Sequence, residues 1–292
     1  MRETWTKTKG FAEIHSAVAL FGLAGLFGQW LPISPFIIVL GRVVFASLAL
    51  GGVLVFRRRQ PAGRPGRGQD RLIFVLLGFI LAVHWASFFR SIQVSSVAVG
   101  LLSYSTFPLF TSFLEPLVNR ERWERRHFIL SLGCLAGVFL IIPRFDLAQP
   151  VVQGVGWGMC SGLLFALLTI TNRKLTARHS ALVIAFYQDF WAGVFLLPFL
   201  FIIKPSLSAR DILLLAVLGV ACTALSHTLF IQGLKWVSAR TASIISALEP
   251  VYGVILAYFF LREIPAGRTV WGGAVIVASC LWASFSDRRL RP

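Results

Sequence analysis

Residues 88–123, FFRSIQVSSVAVGLLSYSTFPLFTSFLEPLVNRERW, align without a gap on residues 230–265, FIQGLKWVSARTASIISALEPVYGVILAYFFLREIP, at a constant offset of 142. Pro108 falls on Pro250 and Glu121 on Glu263. Each copy carries a mid-run proline, then an Arg-Glu pair thirteen residues on, then a further apolar stretch. A chain of 292 residues that repeats over such a distance is built of two related halves.

The rest of the sequence says where those halves reside. Hydrophobic residues make up 57% of the chain and charged residues 14%, against roughly 25% charged in a soluble domain. A bilayer crossing takes ~20 mostly apolar residues. Runs of that kind fall at 11–31, 33–56, 72–92, 96–118, 127–143, 152–172, 180–203, 211–234, 239–261 and 268–286. The expected fold is therefore an all-α membrane protein of ten transmembrane helices. Its halves are expected at 1–145 and 146–292. Five being odd, the two must insert with opposite topology, as two inverted five-helix repeats. Inverted repeats are characteristic of secondary transporters, which rock one half against the other around a midplane site.

The net charge of +16 raises nucleic acid as a partner, but the basic residues sit in short loops between apolar runs and form no basic helix face. No nucleic-acid partner is expected. The longest hydrophilic stretch is the linker RRRQPAGRPGRGQDR, residues 57–71. With the N-terminus inside, 21 of the 28 Lys and Arg residues fall on the cytoplasmic side, so the positive-inside rule puts both termini in the cytoplasm. The first apolar run is long enough to span and is followed at once by another, so it is expected to be retained. Cys134, Cys160, Cys222 and Cys280 show no CxxC spacing, which supports neither a disulfide framework nor a metal site.

A small-residue-rich first span (Gly22 to Gly28, GLAGLFG), Arg42 in span 2, prolines in spans 4 and 9 and an Arg-Glu pair closing each of those hairpins together resemble the EamA group of the drug/metabolite transporter superfamily. The resemblance covers nearly the whole chain. It implies a ten-helix basket with spans 1–4 and 6–9 around a central cavity and spans 5 and 10 to the side, at the contact of a homodimer. It implies no cofactor, a bacterial inner membrane location, and export of amino acids, metabolites or drugs, or movement of nucleotide sugars or sugar phosphates.

Ionisable groups at membrane depth cost ~2.5–3.5 kcal/mol on insertion scales, so each needs a partner or an aqueous cavity. Arg42 lies in span 2 opposite Gln188 and beside Asp189 of span 7 when the repeat is anchored at Ser34 and Ser180. Arg42 and Asp189 either pair with each other or hold the carboxylate and ammonium of a zwitterion. The guanidinium fork suits carboxylate and phosphate equally. Glu249 has Phe107 as its repeat mate, so a carboxylate is not required to build a half there. Cation binding or proton coupling competes with simple pairing to Arg42 or a histidine.

His84 and His227 fall within one residue of repeat equivalence and titrate near neutral pH. Both are candidates for proton coupling, and His84 also for substrate contact, against the plainer role of interhelical hydrogen bonding. Trp85, Tyr104, Trp157 and Tyr252 are candidate aromatic walls, in competition with an interfacial belt. Glu13, His15 and Glu115 lie near the cytoplasmic surface as gate or snorkelling residues. Gly133 and Gly137, with Gly158 and Gly162, permit close helix approach.

An intramembrane enzyme would need a nucleophile with its base or a metal cluster at depth, and neither GxSxG nor HExxH occurs. A channel would present rings of like residues about an oligomeric axis, whereas the asymmetry here lies within one chain. A sugar-phosphate exchanger would place several Lys and Arg at depth, and Arg42 is alone. An exporter of amino acids or small amphipathic metabolites is the leading expectation.

Overall fold

The computed structural model describes residues 2–56, 68–120, 125–142 and 146–288. Most of the basic linker, and Glu121, lie outside them. Among the described residues every regular element is helical: α1 (Arg2–Trp30), α2 (Pro35–Phe56), α3 (Gly68–Val94), α4 (Val97–Tyr104), α5 (Phe107–Asn119), α6 (Arg125–Ile141), α7 (Pro150–Leu175), α8 (Ala181–Ile203), α9 (Ala209–Gly219), a π-helical turn (Val220–Leu225), α10 (Ser226–Gly233), α11 (Ala239–Ser246), α12 (Glu249–Leu261) and α13 (Gly267–Arg288).

The repeated prolines explain the two broken spans. Pro108 and Pro250 are the second residues of α5 and α12, where a missing N–H costs nothing but where the preceding helix cannot continue. Ser105 and Thr106 fill the first break by donating their hydroxyls to Leu101 O (2.9 Å) and Ser103 O (2.8 Å), a local alternative to the helical ladder. In the second break Ala247 N and Leu248 N donate to Ser243 O and Ile245 O, each at 3.0 Å. Both helices then end on an arginine in the left-handed region, Arg120 at φ 57° and Arg262 at φ 54°. The breaks and the caps are all 142 residues apart.

Among the described residues seven helices are long and apolar enough to cross a membrane, counting the broken Val97–Val118 and the π-interrupted Ala209–Gly233 as one each; Leu132–Ile141 and Glu249–Leu261 are shorter apolar helices. The chain is a multi-pass membrane protein. The expected ninth span is divided between α11 and α12, so neither piece reaches spanning length by itself.

Helices of one half pack on helices of the other. α2 lies on α8 and α9, α3 on α7 and α8, α1 on α10 and α12, and α7 on α4 and α5. α6 and α13 form the most extensive pair and have few other contacts. Glycine makes this pair possible: a Cβ on Gly137 would meet the Gly272 carbonyl, and one on Gly133 the Ser279 hydroxyl. Gly158 and Gly162 of α7 likewise face Ser103, Tyr104 and Phe107. Both glycine pairs thus serve close helix approach within one chain.

Candidate functional site

An apolar span leaves its few polar residues one place to go, the interior shared with other spans. Phe21 and Ala24 of α1, Arg42 of α2, Leu81, His84, Trp85 and Phe88 of α3, Tyr104 of α4, Phe165 of α7, His227 of α10 and Glu249 of α12 line one cavity of about 30 Å³. A water needs roughly 10–15 Å³ of such space, so the cavity holds a water or two and no larger solute in this conformation.

Arg42 does not pair with Asp189. Its Nε donates to Thr223 Oγ1 at 2.9 Å and its Nη2 to Cys222 O at 3.3 Å, both on the π-helical turn. Its Cζ lies over the Trp85 ring, 3.8 Å from the centroid. A desolvated cation over an indole is stabilised by ~2 kcal/mol, which together with the two hydrogen bonds holds a buried charge in place without a carboxylate. Among the described residues Nη1 makes no hydrogen bond.

His84 is committed elsewhere: its Nδ1 lies 2.9 Å from Ser161 O and 2.8 Å from Ser161 Oγ. His227 packs edge-on against Trp85, centroid to centroid 5.7 Å, and its Nδ1 is 3.8 Å from Asp189 Oδ1. That separation exceeds a hydrogen bond. Both Asp189 oxygens, His227 Nδ1 and Glu249 Oε2 are buried without a hydrogen-bond partner. Tyr104 stacks on Phe107, and Phe165 meets Phe107 edge-on at 5.0 Å, so the repeat mate of Glu249 contributes to the aromatic wall behind the cavity.

Arg42, His84, Trp85, Tyr104, His227 and Glu249 are therefore brought together. Asp189 sits just behind His227, fully buried. Gln188 is exchanging amide hydrogen bonds with Asn172 and does not line the cavity. Trp157 is 44% exposed and faces a separate groove with Arg90 and Phe199; Tyr252 is 38% exposed and turns toward α1 beside Gly22. Thr223, Cys222, Ser161, Phe21 and Phe165 belong to the site and were not singled out from sequence. Cys222 and Thr223, five and four residues ahead of His227 in an apolar run, were the available signal.

The sequence model of the EamA-like transporter family matches residues 9–142 and again 152–285. An uncharacterized transporter of Archaeoglobus fulgidus is 28% identical over 94% of this chain and 96% of its own. The pseudopaline exporter CntI of Pseudomonas aeruginosa is 24% identical over 84% and 86%, and the S-adenosylmethionine uptake transporter of Rickettsia conorii 23% identical over 85% and 82%. A crystal structure 19% identical in sequence shares the fold over 98% of each chain with a TM-score of 0.72.

Proposed function

The chain belongs to the EamA-like transporter family, and from that premise we propose that it is a secondary transporter exporting amino acids or related small amphipathic metabolites across a bacterial inner membrane. In this reading residues 1–145 and 146–292 are inverted five-helix repeats, ten spans in all with both termini cytoplasmic. The helix breaks at a fixed 142-residue offset and the reciprocal packing of each half on the other support the inverted repeat, and the distribution of basic residues supports the orientation.

The observation that carries the substrate class is a pair of opposite, separately held charges in one cavity. Arg42 offers a free Nη1 while Glu249 offers a free Oε2, and a zwitterion complements both: carboxylate to guanidinium, ammonium to carboxylate. Between turnovers Glu249 takes a proton instead. Trp85, Tyr104 and His84 are proposed to line the substrate's remaining surface, an aromatic box that also favours drug-like cations as a second reading. One relative is named as an exporter and another as an uptake transporter, so the fold serves both directions. The cavity is lined by one chain and needs no second copy.

The test is uptake of a radiolabelled amino-acid panel by proteoliposomes with and without a pH gradient, for wild type, Arg42→Ala and Glu249→Gln. Saturable, gradient-dependent uptake lost in Arg42→Ala and uncoupled in Glu249→Gln is expected. Folded wild-type protein that moves no amino acid overturns the substrate class and brings phosphorylated or drug-like solutes forward.

A further inference from the structure

Two buried groups stand behind the cavity with unused hydrogen-bonding capacity: Asp189 on α8 and His227 on α10, 3.8 Å apart. An ionised carboxylate without a donor, out of water, is among the costliest arrangements a protein can hold. One proton relieves it, either as a carboxylic acid beside a neutral imidazole or as a carboxylate beside an imidazolium. Only His227 of the two reaches the cavity wall.

The π-helical turn ties this pair to Arg42. Val220–Leu225 runs directly into α10, whose second residue is His227. π turns are rare and are found frequently at functional sites. Here the turn is held by Thr223, whose hydroxyl donates to Leu218 O at 2.7 Å while accepting from Arg42 Nε, and by the Cys222 carbonyl, which accepts from Arg42 Nη2. A solute carboxylate that draws Arg42 toward the cavity must loosen that hold.

We propose that Asp189 and His227 together form a second proton site, behind Glu249, and that the π-helical turn, clamped by Arg42 through Thr223 and Cys222, couples its occupancy to the substrate site. This rests on the transport reading above. The pair takes one proton from the cavity and returns one to it; no other bond changes. With the proton on, the pair is neutral and Arg42 is free to engage an anion; with it off, the pair is negative and holds Arg42 back. The charged and titratable groups that line the cavity with His227 are Arg42 on α2, His84 on α3, Tyr104 on α4 and Glu249 on α12. Thr223 is a positioning residue in this scheme.

The experiment is a pH titration of the purified full-length protein in lipid by infrared difference spectroscopy, reading both the stretch of protonated carboxyl groups and the ring modes of imidazolium. A band lost in Asp189→Asn, distinct from the one lost in Glu249→Gln, is expected. Its midpoint should move by a pH unit or more in His227→Gln and move in Thr223→Val, which keeps the shape of the side chain and deletes the hydroxyl. A spectrum that Asp189→Asn leaves unchanged overturns the proton site, and a midpoint unmoved by Thr223→Val overturns the coupling through the turn. Should Asp189→Asn not fold, the His227→Gln midpoint decides instead, no shift counting against the pair. The spectra need no substrate, so a failure to find a transported solute in the liposome assay is a separate result.

Discussion

Glu263 and Val97 lie 166 residues apart in sequence and are joined by a hydrogen bond of 3.1 Å, the Glu263 carboxylate accepting from the Val97 N–H and, through its other oxygen, from the Ala98 N–H at 3.0 Å. A residue just past α12 therefore caps the first turn of α4 in the other half. Four N–H groups at a helix start lack partners within the helix, and an anion there also meets the positive end of the helix dipole. Removing such a cap costs ~1 kcal/mol. Thermal unfolding in detergent should rank wild type above Glu263→Gln and Glu263→Gln above Glu263→Ala, and amide exchange at Val97 and Ala98 should quicken in the same order. Equal exchange in all three would show that the cap does not hold α4.

Arg42→Lys should fail as a conservative change. An ammonium is a point charge and cannot donate to both Thr223 and Cys222 while sitting over the Trp85 ring. Loss of one hydrogen bond to a charged group costs roughly 1.5–3 kcal/mol, so initial uptake at low solute concentration should fall roughly ten-fold or more, as for Arg42→Ala. Uptake by Arg42→Lys at the wild-type rate would mean that only the charge matters.

A Cβ on Gly162 would lie 2.8 Å from the Tyr104 carbonyl oxygen, whereas one on Gly52 has open space. Overpacking costs about 1–3 kcal/mol, and Gly to Ala in a helix gains roughly 0.5–1 kcal/mol where there is room. Gly162→Ala should lower the melting temperature and Gly52→Ala should raise it slightly or leave it, as followed by tryptophan fluorescence. Because Gly162 lets α7 reach the break between α4 and α5, its substitution should also weaken transport.

Leu147 and Ala177 flank α7 at its two ends and both are exposed. In a background with the native cysteines replaced, Leu147→Cys should react with an impermeant thiol reagent applied to intact cells and Ala177→Cys only after permeabilisation. The reverse pattern would invert the topology.

The repeat was legible because a proline recurring at a fixed offset stops a helix by backbone chemistry, which sequence records directly. The convergence of Arg42, His84, Trp85, His227 and Glu249 could be expected because buried polar groups in apolar spans have nowhere else to go. Trp157 and Tyr252 could not be placed: an aromatic ring is as stable against lipid as against a cavity, and the rotation of a helix about its axis is not written in an apolar run. The partners of Arg42 were hidden for a different reason. A π turn advances the helical register by one residue, so Thr223 and Cys222 face α2 where regular α-helical spacing does not put them.

A space of about 30 Å³ walled by Phe21, Phe88, Tyr104 and Phe165 sets the thermal character of the cycle. Admitting a solute means parting those rings and wetting them, and hydration of apolar surface raises heat capacity. The opening step should therefore carry a positive activation heat capacity, and an Arrhenius plot of flux should curve rather than run straight. A permanently wet pore, whose walls are hydrated throughout, has no such term.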